Sequence, residues 1–150
     1  MKKQILKSFL VLIGGAFILQ SCQQEDTTPP AISSVSVNEI MGLDFIVQPG
    51  DSLAIRFTIT DDHPLSQMKA SIHDAADGHG HNGEVDTAAV VPNVGLWVDT
   101  RILALSGATV TKTLYYVVPD TIHGVWHWEL QAVDESGNSA EEVVVEFDVQ

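Results

Sequence analysis

The chain has 150 residues, with 20 acidic and 7 basic side chains and a formal charge of −13. A chain this acidic repels nucleic acid and anionic membrane surfaces, so nucleic acid is not a predicted partner, and the charge favours solubility or the attraction of cations. The only cysteine is Cys22, which excludes an internal disulfide. The length suits one domain, because domains most commonly have about 100–150 residues.

The first 21 residues have the pattern of a targeting segment. Three lysines within the first seven residues precede an apolar run over 9–19, which is too short to span a bilayer and long enough for a signal peptide. The LQSC sequence at 19–22 resembles a bacterial lipobox, which implies cleavage before Cys22 and acylation of its thiol. An ordinary secretory signal with an unrelated cysteine is the alternative. We predict a lipoprotein signal peptide over 1–21.

Residues 22–30 are predicted to be the acylated cysteine and a flexible tether. The segment reads CQQEDTTPP, which is polar, acidic and stiffened by two prolines at its end. Removal of the signal peptide leaves 129 residues with four basic and 20 acidic side chains, a formal charge of −16. We expect a cell-envelope protein attached to the outer membrane by the lipid on Cys22. The acidic residues after that cysteine favour exposure of the protein on the cell surface. A position on the periplasmic side of the membrane is the alternative.

From residue 31 onwards, short segments with a period of two alternate with turn signals. This pattern predicts an all-β fold over 31–150, an immunoglobulin-like antiparallel two-sheet sandwich of about seven strands. The candidate strands are 32–37, 52–60, 66–73, 96–105, 111–118, 125–133 and 143–149.

Strand alternation predicts that several histidines meet at one corner of this sandwich. In 66–73 the apolar side chains share the face of Ile72, so His73 points to solvent on the other face. In 125–133 the tryptophans form the inner face, which places His127 outside, with His123 on the same side if the strand extends back. In an immunoglobulin-like order these two strands are antiparallel neighbours. We therefore expect His73, His123 and His127 to cluster.

The histidine-rich stretch at 72–81 leaves from the same corner and extends the set of candidate metal ligands. Imidazole and carboxylate groups suit Zn²⁺ or Cu²⁺ where no thiolate is on offer. Asp77 is either a ligand or a partner that fixes an imidazole tautomer. A hydrogen-bonded polar loop and a pH-sensitive patch without metal are the alternatives. The candidate metal ligands are His73, Asp77, His79, His81, His123 and His127.

Calcium fits the histidine-rich stretch poorly. An EF-hand-like alignment would put His73 and Ala75 at ligand positions, and no flanking helices are predicted. The acidic turns at 61–62 and 134–135 stay open to calcium. His63 lies ten residues before His73, roughly 30 Å along an extended strand, and is interpreted as a turn residue before Pro64.

Several motifs together resemble the bacterial lipoproteins grouped as domain of unknown function 4625. They are the lipobox, DTTPP at 26–30, IHD at 72–74, DGHGH at 77–81, HGVWHW at 123–128 and VDESGN at 133–138. The resemblance covers nearly all of the mature chain and implies an immunoglobulin-like sandwich in the cell envelope. It implies no established activity. Ala75 and Ala76 depart from the bulkier residues expected there but remove no ligand.

The predicted function is a binding protein that captures a transition metal for uptake, buffering or delivery. The alternative is a surface interaction or adhesion module for an envelope protein or a glycan, which an exposed Trp97 would favour. An enzyme is not predicted, because a catalytic metal needs an open position and a base in a cleft. Glu129 shares the face of His127 and is the candidate base, yet no nucleophile motif is evident. The oligomeric state is open.

Overall fold

The protein folds as a two-sheet β-sandwich, which confirms the predicted all-β class. The computed structural model describes residues 25–75 and 94–150. Within these ranges the chain forms nine strands and no helix. The strands are β1 (Ala31–Val37), β2 (Ile40–Met41), β3 (Asp44–Val47), β4 (Ser52–Thr60), β5 (Leu65–Asp74), β6 (Asp99–Ala104), β7 (Thr109–Val117), β8 (Gly124–Asp134) and β9 (Val143–Val149).

In the described ranges one sheet has the order β2-β1-β4-β7 and the other the order β3-β9-β8-β5-β6. All pairs are antiparallel except β3 with β9, which is parallel, so the prediction of a wholly antiparallel fold is wrong at this edge. The seven predicted strands are all present. β2 and β3 were not predicted because they are short and carry exposed apolar residues, among them Ile40 and Ile46, which hide the period of two.

The core lies between the sheets and follows from the alternation in each strand. In β4 the side chains from Leu53 to Ile59 are buried at every second position, and in β8 Trp126 and Trp128 are buried, as predicted. The Trp128 ring packs against Phe57 of the opposite sheet with centroids 5.8 Å apart. Its indole Nε1–H donates across the sandwich to the hydroxyl of Tyr116 at 3.0 Å.

Trp97 is also part of the core, which corrects the expectation that it is partly exposed. Leu96 and Val98 lie on the other face, as the alternation requires, and are exposed. Trp97 is only 6% exposed. Its ring lies 6.3 Å from that of Trp126 and 6.1 Å from that of Phe147. An indole removes more apolar surface from water than the smaller side chains beside it, which favours the inward orientation of Trp97 in the segment before β6.

The sandwich has two poles, where the strands end. At one pole β5 ends with His73 and Asp74 while β8 begins at Gly124, and we call this the histidine corner. At the other pole β4 ends at Thr60 and β5 begins at Leu65. The turn over 61–64 and the segment before β1 meet there, and we call this region the acidic pole. Among residues 25–75 and 94–150, no helix is long and apolar enough to cross a membrane.

Candidate functional sites

His73 and His127 are direct partners in the β5–β8 ladder, which confirms the predicted antiparallel pairing of these strands. Their rings meet edge to face with centroids 5.9 Å apart and an interplanar angle of 90°. The row continues into β9, because Glu146 is the register partner of His127 on its other side. Three strands therefore place two imidazoles and a carboxylate in one line.

Each imidazole of this row faces a glutamate. The His73 Nε2 atom lies 2.7 Å from Oε1 of Glu129, and its Nδ1 lies 3.0 Å from the carbonyl oxygen of Asp74. The His127 Nε2 atom lies 3.5 Å from Oε2 of Glu146. Because both ring nitrogens of His73 face oxygen acceptors, an imidazolium can donate to both, and a cation can take the place of the Nε2 proton.

The two histidines are much less accessible than alternation alone predicts. The His73 side chain is 19% exposed and that of His127 only 5%, so the expectation that both point to solvent is wrong. The face is the predicted one, opposite the tryptophans. Its side chains crowd one another, since the ring of His73 packs on that of His127 and glutamates flank both. A polar group buried in this way must be paired, and here carboxylates serve that need.

The chain enters and leaves the segment 76–93 at this same corner. Before the segment, the Ala75 amide donates to the Val125 carbonyl at 3.2 Å. After it, Val94 and His123 exchange two backbone hydrogen bonds of 3.0 and 3.1 Å. His123 is exposed and lies next to the start of β8. The predicted ligands Asp77, His79 and His81, like the lipidation site Cys22, lie outside the described residues.

A second cluster of possible ligands lies at the acidic pole, where sequence reasoning assigned His63 only to a turn. Within the described ranges, one ligand atom from each of four residues lies within 4.8 Å of the others. The His63 Nδ1 atom is 3.3 Å from both Oδ2 of Asp26 and Oδ1 of Asp62. The group comprises Asp26, Asp61, Asp62 and His63.

Asn138 joins this cluster to the turn between β8 and β9. Its side-chain amide donates to the Asp26 carbonyl at 3.1 Å, to Oδ2 of Asp26 at 3.3 Å and to Oδ2 of Asp134 at 2.8 Å. The buried Asp134 also accepts the Asn138 backbone N–H at 2.9 Å. The N-terminal segment is therefore fixed to the sandwich at Asp26, well before the first strand.

The electrostatics of the acidic pole follow from these contacts. The hydrogen bond with Asp62 raises the pKa of His63, and the same bond is the main cause that lowers the pKa of Asp62. Burial by itself raises the pKa of Asp134, but hydrogen bonds from Asn138 outweigh it and hold that pKa below its usual value. These contacts therefore favour the ionised form of both Asp62 and Asp134.

The comparisons with known proteins agree with the sequence motifs. A family model described as "Domain of unknown function (DUF4625)" matches residues 20–149, and the chain belongs to this family. No curated protein matches the chain with significance.

Among solved structures, the chain is similar to a Niemann-Pick type C2 protein from the Japanese carpenter ant, with a TM-score of 0.50 and 8% identity over 83% of this chain and 96% of that one. Spo0M, a sporulation control protein from Bacillus subtilis, gives 0.43 and 4% over 82% and 50%. The alkylpurine DNA glycosylase AlkC of Pseudomonas fluorescens, bound to DNA containing an abasic site analog, gives 0.44 and 15% over 83% and 31%. At these identities the ant protein shares the fold, and the likeness says nothing of function.

Proposed function

We propose that this member of the DUF4625 family is a lipid-anchored protein of the bacterial cell envelope that binds one divalent transition-metal ion, Zn²⁺ or Cu²⁺, at the histidine corner. Its role would be metal uptake, buffering or delivery. The observation that supports this most directly is the contact between His73 and His127, each with a glutamate oxygen within 3.5 Å of its Nε2 atom. Nitrogen and carboxylate donors are the set that borderline metals prefer in a protein without thiolates.

The spacing of these donors suits a site that closes around an ion. A tetrahedral ion with bonds of about 2.0–2.2 Å holds two ligand atoms about 3.4 Å apart. The His73 Nε2 and the Glu129 oxygen are closer than this because a proton joins them at 2.7 Å. An ion that replaces the proton needs a movement of about 0.7 Å, which a side-chain rotation supplies. A neighbouring glutamate can then serve as a ligand or fix the imidazole tautomer.

The two ends of the segment 76–93 support including Asp77, His79 and His81 in the proposed site. Both ends are tied by backbone hydrogen bonds to the start of β8, through Ala75 and Val94. The anchoring of both ends beside the histidine row supports the proposal that this segment contributes ligands. His123, bonded to Val94, is the remaining candidate ligand.

The test is isothermal titration of the purified protein with Zn²⁺ and with Cu²⁺, with native mass spectrometry to count bound ions. We expect one ion per chain, with at least about 100-fold weaker binding in His79→Ala/His81→Ala and in His73→Gln, since loss of ligands costs at least as much as the 10–100-fold known for their outer partners. His63→Ala is the matched control, because His63 lies at the other pole and should leave the affinity unchanged. Unchanged affinity in the His79→Ala/His81→Ala variant would refute the proposal.

The anchor is tested separately. We propose acylation at Cys22, which predicts that the wild-type protein takes up labelled fatty acid and sediments with membranes in its host. Cys22→Ser should abolish the labelling and release the protein from the membrane fraction. A Cys22→Ser protein that carries the label, or a wild-type protein that never does, would contradict the anchor without bearing on the metal site.

A further inference from the structure

The charges at the acidic pole do not balance among the described residues. The open cavity there is lined by four acidic side chains and by no lysine or arginine, and His63 is its single basic group. The acidic lining residues are Glu25, Asp26, Asp62 and Glu135. Like charges held this close repel one another, and the single imidazole can offset at most one of them, so a bound cation would lower the repulsion.

The Asp26 carboxylate is buried although it lies in the segment before β1. Its side chain is 3% exposed, and its oxygens accept hydrogen bonds from the Thr28 amide at 2.9 Å and from the Asn138 side chain at 3.3 Å. The His63 imidazole also lies 3.3 Å from Oδ2, but it is shared with Asp62 at the same distance, so it can offset at most one of the two carboxylates. A carboxylate removed from water in this way is normally paired.

Asp61 supplies an independent sign of a missing ligand. Its Oδ1 accepts the His63 backbone N–H at 2.8 Å, but its Oδ2 is fully buried and has no hydrogen-bond partner. Buried carboxylate oxygens without a donor are rare in proteins and call for an explanation such as an unplaced water or ion. Asp61 is one of the four residues whose ligand atoms converge within 4.8 Å. The orphan oxygen therefore belongs to a residue of the converging group.

We propose that the acidic pole is a binding site for a hard divalent cation, Ca²⁺, held by the carboxylates of Asp26, Asp61 and Asp62. Calcium takes 6–8 oxygen ligands at about 2.3–2.6 Å, so two ligands of one ion lie at most about 5 Å apart. The 4.8 Å grouping lies within this limit. Oxygen donors favour Ca²⁺ over the transition metals, and His63 serves as a hydrogen-bond partner of two carboxylates rather than as a ligand.

The ion would connect parts of the chain that are far apart in sequence. Asp26 precedes the first strand, whereas Asp61 and Asp62 form the turn between β4 and β5. Asn138, from the turn between β8 and β9, holds Asp26 from the other side. Binding would cross-link the N-terminal segment to the sandwich and fix the direction in which the chain leaves it. The proposal does not depend on metal binding at the histidine corner, which lies at the opposite pole.

The experiment is equilibrium dialysis of the purified protein with ⁴⁵Ca²⁺, together with thermal unfolding in Ca²⁺ and in EGTA. We expect one Ca²⁺ per chain and a melting temperature at least about 4 °C higher in saturating Ca²⁺ than in EGTA. Asp62→Asn should weaken binding at least about tenfold and abolish the thermal shift. Asp62 is exposed, so this variant should fold, and Asp61→Asn provides a second test.

Two controls make the result specific. Asp120→Asn removes an exposed carboxylate at the other pole and should leave Ca²⁺ binding unchanged. His63→Ala should keep Ca²⁺ affinity within about threefold, since the imidazole is not a ligand. The proposal fails if no Ca²⁺ binds at millimolar concentration, if Asp62→Asn and Asp61→Asn both bind as the wild type does, or if Mg²⁺ in equal amount displaces the ion. It also fails if His63→Ala abolishes binding, which would indicate a transition-metal site instead.

Discussion

The hydrogen bond between Trp128 and Tyr116 is the one polar link between side chains that crosses the centre of the described core, and its removal is a sharp test of the fold. Tyr116→Phe deletes only the hydroxyl and leaves the Trp128 indole N–H buried without its acceptor, 3.0 Å away in the wild type. A buried donor that loses its partner costs about 1–3 kcal/mol. The ring itself, its packing and its contact with the Arg101 guanidinium, 4.0 Å from the ring centroid, are retained.

The expected loss is measurable by urea or thermal unfolding. At about 4 °C per kcal/mol for a domain of this size, Tyr116→Phe should lower the melting temperature by about 4–12 °C. The neighbouring Tyr115 is the matched control, because its side chain points outward and is 70% exposed. Tyr115→Phe should change the free energy of unfolding by less than about 0.5 kcal/mol. Equal effects of the two variants would refute the assigned role of this bond.

The same tyrosine predicts a loss of stability at alkaline pH. Burial raises the pKa of Tyr116 above its ordinary value of 10.0, and this effect exceeds the lowering by the bond from Trp128. The unfolded chain therefore loses the phenolic proton at a lower pH than the folded protein does. Stability is unaffected below the unfolded pKa and falls as the pH rises through the raised folded pKa. Tyr116→Phe should flatten this alkaline decline, and Tyr115→Phe should not.

Two further predictions concern backbone positions that the turns require. Gly95 has a φ of +87°, and a Cβ there would lie 2.8 Å from the Thr121 carbonyl oxygen. Gly95→Ala should therefore lower the free energy of unfolding, measured in urea, by at least about 2 kcal/mol. Gly107 has a φ of +79° but open space around it, so Gly107→Ala should cost about 1 kcal/mol. Asn38 accepts the Ala54 amide through its side chain at 2.8 Å and has a φ of 49°, so Asn38→Ala should destabilise by about 1–2 kcal/mol. Asn38→Asp keeps the acceptor and should recover part of this, and equal costs within either pair would contradict these assignments.

The period-two pattern predicts the long strands well. It misses the short strands β2 and β3, and it does not identify the buried side chain at Trp97. All seven predicted strands exist. Alternate burial is clear in β4 and β9, whereas β6, at a sheet edge, has no fully buried side chain. Around Trp97, a count of apolar side chains favours the wrong inner face, because Leu96, Val98 and Ile102 lie on the other side. At a sheet edge the number of apolar residues does not identify the inner face, since Ile102 and Val98 stay exposed. The larger ring decides the orientation.

The meeting of His73 and His127 was predictable from two local facts, the alternation in each strand and the antiparallel order of neighbours. The full surroundings of His127 were not predictable, because they include Glu146, which β9 brings into register from outside both segments. A single sequence gives no such lateral register.

The same reasoning could have predicted the acidic pole if the pairing of β1 with β4 had been included. The turn at 61–62 was recognised as open to calcium, whereas Asp26 lies 35 residues earlier in a segment interpreted as a tether. The structural link is the pairing of β1 with β4, in which Ala31 lies opposite Thr60. An antiparallel pair places residues just before one strand beside residues just after the other. The pairing of the first two long strands therefore brings Asp26 close to Asp61.

The two proposed sites follow from how a sandwich distributes its side chains. The inner faces are committed to the core, so chemistry concentrates where strands end and turns begin. β5 spans the distance between the poles with ten residues, roughly 33 Å at the rise of a strand. That distance is about four Debye lengths at physiological ionic strength, so charge added at one pole is screened from the other. Nitrogen donors at one pole and oxygen donors at the other also prefer different metals. The two proposed ions would therefore bind independently, with occupancy of either site leaving the affinity of the other unchanged.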